Sequence, residues 1–282
     1  MIEYKCGSGT TYAIKPLKDR RNEAGRQLPS KIMAENVLMN EMSWTEVEEA
    51  LKERPIALLP VGTTEAHGPH LPVTTDTIIA VALARRGVKK LEERGLHALI
   101  MPPVTFSVSQ LAAEFPGTVS LPEETVVALV RDLGIALSKT FRAVAIVNVN
   151  QEKAHIEALK KAVAAANEAG ASVRLTDFAK KRWVDQLGEA FAAGDHGGSF
   201  QTSLMMAANP DDVRERERIS LPPMDGLAAG LKKGAKTFSE AGGVDAYFVD
   251  PTAANAEQGE AAFEALSGIL GLDVAEYVGS KA

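Results

Sequence analysis

The chain has 282 residues, 45% of them hydrophobic and 24% charged, with a formal net charge of −6 at pH 7. That length and balance suit a large buried core and exclude a fibrous or disordered chain. The acidic excess argues against a nucleic-acid or anionic-membrane partner, because both need a concentrated basic face.

Cys6 is the single cysteine, so no intrachain disulfide can form; it reads as an incidental thiol. The start of the chain lacks a signal-type apolar stretch, and nowhere are there about 18 consecutive apolar residues. The expectation is a soluble, cytoplasmic protein.

In chain order, residues 1–42 are polar, have no sustained period, and are expected to form an N-terminal extension ahead of a core domain at 43–282. The run 15–26 mixes Lys18, Arg20, Arg21 and Arg26 with Asp19 and Glu23 and reads as a solvated arm. From Trp44, short apolar runs alternate with longer amphipathic ones, the βαβ pattern of an α/β fold with a mostly parallel central sheet. Strands are predicted at 56–62, 98–104, 143–149 and 172–175. Helices are predicted at 76–94, 123–141 and 151–169, the last closed by Gly170.

In an open α/β sheet, ligands bind beyond the carboxyl ends of the strands, which directs attention to the loops after Gly62 and Val149. The first carries Glu65, His67 and His70, with Asp76 opening the next helix; the second carries Asn150 and Glu152. Glu65 and His67, two residues apart, share one side of an extended chain, as two ligands of one cluster require. Pro69 and Pro72 stiffen the loop between them and Asp76.

Such an oxygen-rich, imidazole-bearing set suits Zn or Mn, and a carboxylate bridging two cations would bring the pKa of a shared water to about 7. Spacing alone leaves a plainer reading open, with satisfied histidines and helix-capping carboxylates. Further on, Asp195 and His196 precede Gly197 and Gly198. His196 is either a general acid or base or a histidine bonded within its turn. Met205 and Met206 read as core.

The segment Pro60-Val-Gly-Thr-Thr-Glu-Ala-His-Gly-Pro-His-Leu-Pro72 with its continuation to Thr77, Phe115-Pro-Gly-Thr118, the stretch 194–203, and Asp250-Pro251 through Gly259 resemble the creatininase family. The resemblance runs from Trp44 to about Leu266. It implies a three-layer α/β/α sandwich, commonly a homo-oligomer of six chains, with a two-metal site of zinc or manganese that hydrolyses amides or cyclic amides. It further implies Glu65, His67, Asp76 and Glu152 as metal ligands, with Asp76 the bridge. His196 is implied as the proton-transferring residue; the mechanism expected from this set has Asp195 orient His196 and counts Glu152 among the catalytic residues.

Three residues depart from the family pattern. Asn150 stands where the family places a ligand histidine, Gln201 where relatives commonly have glutamate, and Ala112 where many have histidine. A neutral amide oxygen is a weaker ligand than imidazole for Zn, so the position of Glu65, Asp76 and Asn150 is expected to be empty or to prefer a harder cation.

The function expected is ring-opening hydrolysis of a small polar cyclic substrate, of the cyclic-amide type, by a metal-activated water. One alternative is C–C bond hydrolysis of an oxidised inositol of the 3-dehydro-scyllo-inosose type. Another, from a different class, is a non-catalytic relative with a degenerate metal site.

Overall fold

The structure is a computed structural model and describes residues 2–5, 11–14, 37–192 and 195–280. Cys6 and the run 15–26 lie outside the described residues. The chain divides into two compact units, Met1–Glu35 and Asn36–Ala282. In the first, β1 (Ile2–Lys5) and β2 (Thr11–Ile14) pair antiparallel with Ile2 opposite Ile14. Runs of 4 residues are too short for a period to register in the sequence.

The second unit is built on a parallel sheet of β3 (Ile56–Pro60), β4 (Ala98–Ile100), β5 (Ala143–Val147) and β6 (Val173–Leu175), in the order β4-β3-β5-β6. Every residue of β3 and β5 is buried, so these strands read as continuous apolar runs. Three of the four strands stop short of their predicted carboxyl ends, because there the chain leaves the ladder to form loops. Val61 still bridges Val104.

Helices cover both faces. α1 (Trp44–Ala50) opens with a capping box between Ser43 and Glu46. α2 (Thr75–Glu92), α3 (Glu123–Leu137) and α4 (Lys153–Glu168) follow β3, precede β5 and follow β5, respectively. α5 (Lys181–Ala192), α6 (Ser199–Ala208), α7 (Glu215–Arg218), α8 (Leu227–Lys232) and α9 (Ala256–Gly279) complete the unit.

On one face Ile56 and Leu58 of β3 and Ala145 of β5 share a core with Leu83 and Leu91 of α2 and with Phe263 and Leu270 of α9. Each fully buried Leu or Ile there contributes about 1.5–3 kcal/mol. On the other face α3 packs with α4. Gly134 lets α3 approach β6 so closely that an added Cβ would meet Val173 Cγ2 at 2.9 Å. The result is a three-layer α/β/α sandwich. Among the described residues, no helix is long and apolar enough to cross a membrane.

The topology creates the site. β3 passes through α2 to β4 on one side, while β5 passes through α4 to β6 on the other. Adjacent strands β3 and β5 therefore part at their carboxyl ends, the switch point where open α/β sheets hold ligands.

Candidate metal centre

The loop leaving β3 brings Thr63, Glu65 and His67, alternate residues of one buried stretch, onto Asp76 in the first turn of α2. A carboxylate is favoured there by the positive end of the helix dipole. The carbonyl of Glu65 accepts from His67 Nδ1 at 3.0 Å, which makes Nδ1 the donor and Nε2 the nitrogen that would face a metal. Nε2 faces Asp76 Oδ1 at 3.2 Å and Glu65 Oε1 at 3.8 Å. The Thr63 hydroxyl donates to Asp76 Oδ2, and the Ser109 hydroxyl donates to Glu65 Oε2.

Asn150 enters from the loop after β5. Asn148 grips its backbone, donating Nδ2–H to the Asn150 carbonyl at 2.8 Å and accepting the Asn150 N–H at 3.1 Å. His155 of α4 donates Nε2–H to the same Asn148 oxygen at 2.9 Å and takes the Ser107 hydroxyl on Nδ1 at 2.7 Å. Asn150 Oδ1 accepts the Glu152 N–H at 2.7 Å, so the amide nitrogen points inward. It lies 2.8 Å from Glu65 Oε1 and 2.7 Å from Asp76 Oδ2. Expected as an oxygen ligand, Asn150 here presents donors.

Glu152, at the end of the same loop, accepts the Gln110 N–H on Oε1 at 3.0 Å, while its Oε2 is buried without a partner. His70, the third candidate of the first loop, is set apart. Its Nε2 meets Thr202 Oγ1 at 2.9 Å.

His196 stacks on His67 with 4.3 Å between ring centroids and lies 4.3 Å from Phe238. Its Nε2–H donates to the Ala66 carbonyl at 2.9 Å, so Nδ1 carries the lone pair. The expectation that Asp195 orients His196 is corrected. The Asp195 carboxylate accepts the backbone N–H groups of Phe200 at 2.9 Å and Gln201 at 3.0 Å, which caps the start of α6. The Ala66 carbonyl orients His196 instead. Ala112, where many relatives have histidine, lies in an apolar cluster with Phe238 and Phe248.

Burial and charge pull the titrations apart. Burial, with the Asp76 charge adding to it, pushes Glu65 up to about 8. Burial opposes the charged form of His67, but the Asp76 charge and hydrogen bond outweigh it and raise the ring to about 9. Asp76 is likewise opposed by burial, yet the His67 charge and donated hydrogen bonds hold it well below the usual carboxylate range. Burial lifts Glu152 to about 7 and lowers His196 to about 3, so His196 is neutral at neutral pH.

Without a cation, then, the cluster keeps protons between His67 and Asp76 and on Glu65. Glu65, His67 and His196 each offer a ligand atom, all within 4.8 Å of one another, close to the spread allowed by metal–ligand bonds of about 2.0–2.2 Å. The geometry thus offers a cation Glu65, His67 and His196, with Asp76 Oδ1 3.2 Å from His67 Nε2 and already accepting the Gln201 amide at 3.1 Å; on the Asn150 side the nearest group is an amide N–H donor, which is no ligand.

Glu65, Asn150, Glu152, His196 and Gln201 line a cavity of about 830 Å³ whose walls also include Leu111, Leu227, Leu231 and Phe238, while His67 and Asp76 are fully buried. Sequence reading missed Thr63, Ser109, Asn148 and His155. Thr63 had a local signal, since it continues the alternation of Glu65 and His67. Ser109 had none.

The family model of the creatininases, described as creatinine amidohydrolase, matches residues 40–270. The chain is 35% identical over 215 residues to the mycofactocin precursor peptide peptidase of Mycolicibacterium smegmatis, covering 74% of this chain and 80% of that protein. It is 29% identical over 210 residues to the creatinine amidohydrolase of Pseudomonas putida, covering 68% and 79%. A solved structure described as Creatininase Mn superposes with a TM-score of 0.65 at 23% identity, covering 86% of this chain and 98% of that one, which speaks for the fold. Together with the buried Glu65, His67 and His196 group, these matches place the chain: it belongs to the creatininase family and is a metal-dependent hydrolase.

Proposed function

We propose that the protein hydrolyses a C–N amide bond near the end of a peptide that carries apolar side chains. The cavity carries this reading. At about 830 Å³ it lies toward the upper end of the roughly 300–1,000 Å³ range of small-molecule pockets, far more than a small polar ring fills. Its walls at Leu111, Leu227, Leu231 and Phe238 offer apolar surface to side chains, and charged residues such as Glu123, Glu157, Lys161 and Lys236 line it as well. The likeness to a peptide peptidase supports the same choice.

A bound divalent cation polarises a carbonyl oxygen and lowers the pKa of water to about 7. Around it, this chain's residues divide the work. His67 and Asp76, with the carboxylates of Glu65 and Glu152, would hold the ion. Neutral His196, with Nε2–H committed to the Ala66 carbonyl, has Nδ1 free to take a proton from water and return it to the leaving nitrogen. Phe238 against the His196 ring limits water around that nitrogen.

Ring opening of a small cyclic amide is the second reading, favoured by the likeness to a creatinine amidohydrolase. One assay separates the two. Protein reconstituted with Mn²⁺ or Zn²⁺ is incubated with a peptide mixture of varied termini, with creatinine and related lactams, and with a cyclic diketone, and products are identified by mass spectrometry. Terminal peptide cleavage is expected. Turnover of the lactam or diketone with all peptides intact would overturn the peptide reading.

A further inference from the structure

The two sides of Asp76 differ in what already occupies them. Oδ2 accepts the Thr63 hydroxyl and, at 2.7 Å, the Asn150 amide nitrogen. The same nitrogen reaches Glu65 Oε1 at 2.8 Å. An amide nitrogen has two hydrogens, and here each is given to one carboxylate. An ion shared by Glu65 Oε1 and Asp76 Oδ2 would need the space this nitrogen fills.

The amide cannot simply turn to offer its oxygen. Oδ1 is held by the Glu152 N–H at 2.7 Å. A half-turn would set Nδ2 against that N–H and, in the absence of an ion, Oδ1 against the Asp76 carboxylate. It would also strip the part-buried Glu152 N–H of its acceptor, which is unfavourable. The backbone beneath is fixed in turn by Asn148, itself held by His155.

Oδ1 of Asp76 also accepts an amide N–H, from Gln201 Nε2 at 3.1 Å. Its other neighbour, however, is an imidazole nitrogen, His67 Nε2 at 3.2 Å, a metal-ligand type. Since His67 Nδ1 donates to the Glu65 carbonyl, a deprotonated Nε2 aims its lone pair at this gap. One cation can replace the proton there. Glu152 Oε2, buried without a partner on the wall of the cavity that Glu65 and His196 also line, is an orphan acceptor that a cation would satisfy.

We infer that this chain binds one divalent cation, between His67 Nε2 and Asp76 Oδ1, and that the Asn150 side-chain amide takes the place of a second cation between Glu65 and Asp76. The inference rests on the metal-dependent reading above. It makes Asn150 a positioning residue that donates one N–H to each of the two carboxyl groups.

The test is stoichiometry. Metal-stripped protein is titrated with Zn²⁺ and with Mn²⁺ by calorimetry, and bound metal is counted after gel filtration. One ion per chain is expected for the unmodified protein. Asn150→His and Asn150→Asp, which replace the donor by a ligand, are each expected to raise the count from one to two. Two ions on the unmodified chain with hydrolysis intact would overturn the inference and leave the proposed function standing. One ion on the unmodified chain and still one on both folded variants would overturn the part given to Asn150. No bound ion at all would overturn both readings. If neither variant folds, the count on the unmodified chain decides alone.

Discussion

Gln201 Nε2 donates to Asp76 Oδ1 at 3.1 Å while Gln201 Oε1 accepts the Gly197 N–H at 2.6 Å. The amide thus ties the glycine turn after His196 to the carboxylate at the centre of the cluster. Gln201→Glu keeps the acceptor for Gly197 but sets a second buried charge against Asp76. Without metal the variant should lose about 1–3 kcal/mol; with Mn²⁺ or Zn²⁺ the gap to the parent should narrow, since the added carboxylate gains a cation. Denaturant unfolding with chelator and with metal measures both. An equal loss in the two conditions would contradict the placement of the ion beside Asp76 Oδ1.

Asp195 supports a helix. Its carboxylate caps α6 through Phe200 and Gln201, so Asp195→Asn, which turns one acceptor into a donor, should cost about 0.5–2 kcal/mol. The pH dependence of turnover should keep its shape. A profile whose shape changes would restore the orienting role that its place in the sequence suggests.

His196 has two open uses, because it lies within ligand reach of Glu65 and His67 and also has a free Nδ1. The proton-transfer role predicts that His196→Ala lowers turnover by roughly 10²–10⁴-fold with the metal count unchanged. Loss of metal in parallel with activity would make it a ligand.

The metal-free protein should lose stability as pH rises from about 6.5 to about 9. Glu152, Glu65 and His67 all hold protons in the folded state that the unfolded chain has released: their folded values rise to about 7, about 8 and about 9, above the ordinary values of about 4.3 and 6.5. The folded state therefore binds more protons in this window, and stability falls as they leave. Bound cation takes the place of those protons, so the decline should flatten with metal present. Urea unfolding across the window, with and without Zn²⁺, reads it. A stability that rises with pH in the metal-free protein would contradict the electrostatics described.

Much of the frame was legible in the sequence for local reasons. The runs Ile56–Pro60 and Ala143–Val147 are apolar throughout because both faces of the sheet are covered. Helices α2 and α4 end where Gly95 and Gly170 take left-handed backbone angles. Helix α9 gave no clear signal, since it packs against both α2 and α6 and so lacks one clean apolar stripe. Within the site, Glu65, His67 and Asp76 could be singled out because they lie within one loop and the helix it enters. The partners of that loop could not. Ser109 is 44 positions from Glu65, and Gln201 is 125 positions from Asp76, and no period spans such distances. Spacing also could not show which end of the Asn150 amide faces inward, because that depends on the Glu152 N–H.

The most direct test of the account is the cleavage rate of a peptide taken from the profiling assay, compared between metal-reconstituted parent protein, the same protein with chelator, and His67→Ala. The account predicts hydrolysis that chelator abolishes and metal restores, with His67→Ala at least about 10²-fold slower. Hydrolysis that persists undiminished in chelator, or in His67→Ala, would contradict it.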